Sequence, residues 1–198
     1  MPKKKQKTTR SLNLYLALIP AAMLVAFIIY LVVTPPAANL GTTQNTSIQP
    51  PARTGESAKP FTLNLIDGNG LKNEKLSFNP TAGEVVLLDF VHEWCRFCRE
   101  MAPIMEKLHD EYSGKGVIFV TVAGGYNTNP AKTAEFIRNY GLSWPVVYDS
   151  NLDVFKAYGV QGTPTYFFIT KDGKIATKLE GAQTYQTLAQ QLEILLQQ

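Results

Sequence analysis

Cysteine and histidine are both scarce, with two of each in 198 residues. Two cysteines are too few for a disulfide-dense mini-protein or a four-cysteine zinc site. Charge is sparse as well, at 18% of residues against 45% hydrophobic, which excludes a wholly disordered chain. The length allows one ordinary domain plus an appendage, not two full domains. No internal repeat is visible. Acid is missing from the first ten residues, which hold five basic ones: Lys3, Lys4, Lys5, Lys7 and Arg10. The other 188 residues carry 14 basic against 16 acidic side chains, a net of −2. The formal +3 therefore belongs to the tail, and no nucleic-acid-binding body is expected.

Residues 14–33 (LYLALIPAAMLVAFIIYLVV) contain no charge. At about 1.5 Å per residue they span about 30 Å as a helix, the thickness of a bilayer's hydrocarbon core. Membrane helices tolerate a proline such as Pro20. Tyr15 and Tyr30 lie near the two ends, where amphipathic rings prefer the interface. A cleaved signal peptide has an apolar core of about 7–15 residues. This one is longer, so residues 12–33 are expected to be a retained transmembrane anchor behind a cytoplasmic basic tail, residues 1–11. Basic residues precede the span and none follows until Arg53. The positive-inside tendency then places the N-terminus in the cytoplasm and the rest beyond the cell membrane, after a single pass. That compartment permits disulfides. Residues 34–59, rich in Pro, Thr, Ser, Gln and Ala and without an aromatic, are expected to form a solvated extracytoplasmic tether.

The folded domain is expected over residues 60–198. Residues 61–66 alternate apolar and polar as a half-buried strand does, and Asp67-Gly68-Asn69-Gly70 supplies a turn. Val85–Val91 (VVLLDFV) and residues 117–122 (VIFVTV) suit strands buried on both faces. Residues 95–112 have helical spacing. Residues 130–140 form a helix with Asn129 as cap, Pro130 at its first position and Gly141 as its stop. A short strand at 146–148 and a short helix at 152–158 follow. Residues 165–169 and 175–179 form a hairpin, and 184–196 a closing helix. The alternation indicates an α/β fold with a central mixed sheet flanked by helices.

The chemistry concentrates in Asp89-Phe90-Val91-His92-Glu93-Trp94-Cys95-Arg96-Phe97-Cys98. Two cysteines three apart at a helix start share one side of its first turn, so their α-carbons can meet disulfide spacing. The unpaired N–H groups and the positive dipole end favour thiolate at Cys95, and Arg96 adds positive charge beside it. A more acidic Cys95 stabilises the reduced form and makes the disulfide more oxidising. Two other readings stand beside a redox pair. A structural disulfide gains little from so short a loop. A metal site needs two further ligands, and His92 and His109 give no recognised spacing.

The surroundings of the pair resemble a known family. Asp89 six residues before Cys95, Trp94 directly before it and Pro103 eight after it match thioredoxin. Gly162-Thr163-Pro164-Thr165 resembles the cis-proline loop that faces the cysteines in that fold. Phe61-Thr62-Leu63, Tyr140-Gly141-Leu142-Ser143-Trp144-Pro145-Val146 and Ala157-Tyr158-Gly159-Val160 are similar to the membrane-anchored TlpA/ResA-like thiol–disulfide oxidoreductases. The resemblance covers about residues 55–198. It implies a thioredoxin-like fold with Cys95 and Cys98 as the catalytic pair and no cofactor or metal beyond their reversible disulfide. Two features depart from the pattern. Arg96-Phe97 stands between the cysteines where relatives often place a proline before the second, and these two residues are expected to tune the potential. Asp89 looks like thioredoxin, whereas many TlpA/ResA-like proteins carry another residue there.

An acid inside an apolar strand is expensive to bury ionised, so Asp89 is expected to have a raised pKa and to exchange a proton with Cys98. Its bland alternative is a strand residue facing solvent. Thr163 and a cis Pro164 would offer backbone to an extended substrate, and Trp94 would shape that surface or merely pack. His92 and Glu93 are expected at the rim, and Tyr166-Phe167-Phe168 in the core. The expected function is extracytoplasmic exchange with protein thiols and disulfides, favouring reduction of partners, with renewal by a membrane electron-donor protein and cytochrome c maturation as one possible pathway. Oxidation of secreted thiols is the same chemistry reversed. A thiol peroxidase is disfavoured because Leu88 and His92 occupy the positions of its proline and hydroxyl residue. A metal-carrying module using Cys95 and Cys98 is the rival from another class.

Overall fold

The computed structural model describes residues 55–80 and 83–198. The expected tail, anchor and most of the tether lie outside the described residues. Among the described residues no helix is long and apolar enough to cross a membrane.

Val85–Val91, labelled β3, is buried at every position. It is an interior strand of a seven-stranded sheet. The other strands are β1 (Phe61–Asp67), β2 (Gly70–Phe78), β4 (Val117–Gly124), β5 (Val146–Asp149), β6 (Thr165–Ile169) and β7 (Ile175–Glu180), in the order β2-β1-β5-β4-β3-β6-β7. β3, β4 and β5 run parallel, as helical crossovers require; β6 and β7 on one side, and β1 and β2 on the other, pair antiparallel. The sheet is mixed, as the alternation of elements implies.

Strand periodicity sorts the core into two faces. Val85 and Leu87 of β3, with Tyr166 and Phe168 of β6, pack against α1 (Arg96–Tyr112) and α4 (Tyr185–Leu196) through Met105, Leu108, Leu188 and Leu192. Val86, Leu88 and Phe90, with Phe167 and Ile169, face the other way and pack against Phe155 of α3 (Asp153–Ala157). Asp89 shares the parity of Val85 and Leu87 and therefore points toward α1. The helix α2 (Pro130–Tyr140) covers the far end of that face with Phe136 and Ile137, next to Val91, Cys98 and Ala102.

Local signals set the helix ends. The Asn129 side chain accepts the Lys132 amide at 3.1 Å, and Gly141 closes α2 in the left-handed region at φ 67°. Thr184 caps α4 by accepting the Thr187 amide at 3.1 Å. The short α3 depends on a residue outside it: the buried Asp149 carboxylate accepts the amides of Asp153, Val154 and Phe155 at 2.9–3.0 Å.

Two features go beyond the sequence reading. β2 is a full edge strand, paired with β1 through a turn in which Asp67 accepts the Asn69 amide at 2.8 Å. Its run Lys72-Asn73-Glu74-Lys75 carries no apolar alternation, because both faces of an edge strand can remain wet. At the start of the described chain, Ser57 bridges to Lys174, and Ala58 donates to the Gly173 carbonyl at 2.9 Å. The last residues of the expected tether thus add a strand-like contact to the β6–β7 hairpin.

Candidate active site

Cys95 occupies the N-cap of α1 in extended backbone, and its sulfur accepts the Cys98 amide at 3.1 Å. One of the helix's unpaired donors is therefore spent on the sulfur itself. Cys95 and Cys98 form a disulfide with α-carbons 5.2 Å apart. The two sulfurs face different surroundings. Cys98, 2% exposed, points inward. Cys95, 6% exposed, lies at the surface edge with its sulfur 3.3 Å from the Thr163 carbonyl oxygen. The Thr163–Pro164 peptide bond is cis, as expected from the loop motif.

Asp89 lies on the inner side, 3% exposed and inside the core. The solvent-facing alternative is thereby overturned. Burial pushes its carboxyl up to about 7, against the opposing effect of the Thr121 hydroxyl, which donates to Oδ1 at 2.5 Å. A cavity beside it with about 10 Å³ open to a water-sized sphere is lined by Asp89, Cys98, Met101, Trp144, Pro164 and Tyr166, among others. The structure thus brings together the predicted acid, the inner cysteine and the predicted cis-proline.

Beside Cys95, a groove of about 360 Å³ is lined by its neighbour Trp94 and its contact Thr163 with His92, Tyr126, Phe155 and Gly162, among others. Trp94 is 44% exposed, and its indole N–H donates to the Tyr126 carbonyl at 2.8 Å. His92 is not at the rim. Its ring is buried edge-on to Trp94 and tilted against Phe155, at centroid distances of 4.9 and 5.0 Å. Burial lowers its pKa, so the ring is held neutral. Glu93 accepts the Thr128 hydroxyl at 2.6 Å at the edge of the site.

The two residues between the cysteines point to solvent. Phe97 is an exposed aromatic. Arg96 donates to Glu100 at 2.8 Å in an i,i+4 pair, and its side chain is 80% exposed. Its charge is matched by Glu100 rather than aimed at sulfur. Three further residues escaped sequence reasoning: Thr121, Tyr126 and the indole of Trp144. Nothing in a strand's Thr or a loop's Tyr marks it; only the ladder that sets Thr121 opposite Asp89 does so.

This chain matches the Redoxin family model over residues 53–192. The chain belongs to the Redoxin family. Within it, the chain is 35% identical over 146 residues to the thiol-disulfide oxidoreductase ResA of Halalkalibacterium halodurans, covering 73% of this chain and 78% of the relative. A crystal structure from Chlorobium tepidum, assigned as a thiol:disulfide interchange protein DsbE, superposes with a TM-score of 0.65 at 27% identity, covering 74% of this chain and 99% of that one. StoA from Bacillus subtilis gives a TM-score of 0.57 at 27% identity over 68% of this chain and 98% of that one. The fold is thioredoxin-like, and the chain is a ResA-like thiol–disulfide oxidoreductase with Cys95–Cys98 as its cysteine pair.

Proposed function

We propose that this protein reduces disulfides of protein partners outside the cytoplasm, held to the membrane by residues 12–33. The observation that carries the reading is the division of labour between the sulfurs. Cys95 lies against the Thr163 backbone, whose loop lines a groove together with Trp94, whereas Cys98 lines a buried cavity that holds Asp89.

The Cys95 thiolate attacks one sulfur of the partner's disulfide. That disulfide breaks, its other sulfur leaves with the electron pair and takes up a proton, and a mixed disulfide forms. Asp89 accepts the proton of Cys98. The Cys98 thiolate then attacks the Cys95 sulfur, and the partner's second sulfur leaves as thiolate. The partner has gained two electrons and the Cys95–Cys98 disulfide remains. A membrane donor carrying a dithiol reverses these steps to renew the pair. Thr163 and Pro164 present backbone to the extended partner, and Trp94 shapes the surface beside it. The ResA likeness supports reduction of disulfides as the direction and cytochrome c maturation as one pathway. The uncharged 20-residue run behind five basic residues supports the anchor and its orientation.

The test is trapping. With Cys98→Ser in the full chain, partners should accumulate as mixed disulfides through Cys95, in the membrane fraction and accessible from outside. Cys95→Ser should trap none. The absence of any mixed disulfide in cells, or one stoichiometric metal bound to protein with no thiol-dependent disulfide reduction, would overturn the reading. The second result would establish the metal carrier instead.

A further inference from the structure

A chain of donors leads from the core to the carboxyl of Asp89. The Trp144 indole N–H donates to the Thr121 hydroxyl oxygen at 2.7 Å, and that hydroxyl lies 2.5 Å from Asp89 Oδ1. An indole nitrogen can only donate. Thr121 must therefore accept from Trp144, and its single hydrogen is left for Asp89. Oδ1 is an acceptor whether Asp89 is ionised or neutral. The proton of neutral Asp89 belongs on Oδ2.

Tyr166 supplies the second observation. It sits opposite Asp89 in the β3–β6 ladder and is 1% exposed. Among the described residues its buried hydroxyl has no hydrogen-bond partner. Tyr166, Asp89 and Cys98 all line the same cavity, whose space is at the lower bound for one water. A buried hydroxyl without a partner demands an explanation. A water here meets three polar groups: a carboxyl oxygen, a phenol and a sulfur. The titratable groups facing the cavity are Asp89 from β3, Cys98 from α1 and Tyr166 from β6. Phe136 of α2, with Leu142 and Trp144 from the segment before β5, adds no charge.

We propose that Trp144 and Thr121 confine the exchangeable proton of Asp89 to Oδ2, and that Tyr166 anchors a single water which carries that proton between Cys98 and Oδ2. This rests on the reading of Asp89 as the acceptor for Cys98. As the proton moves, the Cys98 S–H bond breaks, the water passes a proton on and regains one, and an O–H bond forms at Oδ2. The freed thiolate closes the Cys95–Cys98 bond while the partner's sulfur departs with the electron pair. Thr121, Trp144 and Tyr166 are positioning residues, since none of them touches the partner.

The experiment uses the full chain with Tyr166→Phe, Thr121→Val and, as reference, Asp89→Asn. Asp89 is titrated through its carboxyl stretching band, identified by its loss in Asp89→Asn. Resolution of a preformed mixed disulfide is followed against pH. Thr121→Val and Tyr166→Phe should each raise the Asp89 midpoint, by about one pH unit for the loss of a donor to a charged acceptor. Tyr166→Phe should also slow resolution about tenfold near neutral pH while leaving the first attack by Cys95 unchanged. If Asp89→Asn slows resolution but Tyr166→Phe changes neither midpoint nor pH profile, this inference falls and the role of Asp89 stands. If Asp89→Asn has no effect at any pH, the underlying reading falls first. Should a variant not fold, a crystal structure of the unaltered protein decides: a water within hydrogen-bond reach of Tyr166 and Asp89 Oδ2 supports the inference, and a dry cavity overturns it.

Discussion

The Cys95 sulfur lies 3.3 Å from the carbonyl oxygen of Thr163, so the reactive end of α1 and the loop entering β6 meet at one point. On the proposed reading, a partner lying extended along that loop would bring its own sulfur to Cys95 without disturbing the interior. Cys98 and Asp89, on the inner side, line a cavity that the buried Pro164 of the same loop helps to close. Cys95 borders the loop and Cys98 lines the inner cavity, so the two sulfurs can be probed separately.

Asp89 should make stability fall as pH rises. Burial holds its carboxyl at about 7 against an ordinary value of 3.8. Between those values the native protein keeps a proton that the unfolded chain has released, so stability declines from about pH 4 to pH 7 and is level above. At about 1.4 kcal/mol per pH unit the full loss is on the order of 4 kcal/mol. His92 acts in the opposite sense. Its lowered pKa means that below about 6.5 the unfolded chain takes up a proton that the folded ring resists, and stability drops as pH falls. That contribution is common to the parent and to Asp89→Asn, so their difference isolates Asp89. In urea unfolding of the oxidised forms the two should match near pH 4, and the variant should be more stable by a few kcal/mol at pH 8. A difference independent of pH would show that Asp89 is not held protonated.

Arg96 should contribute little to the redox potential. Its guanidinium is solvated and already paired with Glu100. Exposed pairs of this kind are worth about 0–1 kcal/mol, and about 30 mV corresponds to 1.4 kcal/mol for a two-electron couple. Arg96→Gln is therefore expected to move the potential by under about 25 mV when equilibrated against glutathione. A shift several times larger would return Arg96 to the tuning role its position beside Cys95 suggests.

Much of this site was legible because its residues announce themselves locally. The acid in an otherwise apolar β3, the cysteines at a helix start and the Thr-Pro ahead of β6 are each unusual in their own neighbourhood. What stayed hidden was relational. Thr121 is an ordinary strand residue until the parallel ladder sets it opposite Asp89. Tyr166 belongs to the core, as its aromatic run implies, yet only the cross-strand register aims its hydroxyl at the acid's cavity. β2 was missed for a different reason. An edge strand whose charged middle is exposed buries only its end, at Leu76 and Phe78, which is too little to impose alternation along it. His92 looked polar enough for the rim, but Trp94, Phe155 and the bare Gly124 backbone leave a slot that its ring fills.

Gly125 should resist substitution although its backbone is not in the left-handed region. A Cβ there would lie 2.7 Å from the Ser150 carbonyl oxygen and 2.9 Å from its α-carbon, both fixed backbone atoms. Gly125→Ala is expected to destabilise the fold by about 1–3 kcal/mol, the usual range for overpacking. The displaced loop carries Tyr126, whose carbonyl holds the Trp94 indole. Tryptophan emission should therefore shift in the native variant. Unchanged stability in urea would mean that the loop moves away from Ser150 freely.

Trp94 should matter to protein partners and not to small disulfides. Its ring is exposed on the groove beside Cys95 and fixed by its bond to Tyr126, so it offers a large, pre-organised contact surface. Aromatic anchors of this kind at an interface commonly carry more than 1 kcal/mol each, which is about tenfold in affinity when somewhat above that value. A small disulfide reaches the Cys95 sulfur without covering the groove. Trp94→Ala is therefore expected to lower kcat/KM for a protein disulfide about tenfold, mostly through KM, and to leave the reduction of a small aromatic disulfide within about twofold. An equal loss on both substrates would instead place Trp94 in support of the cysteine loop, since only a change at Cys95 itself reaches a reagent that touches nothing else.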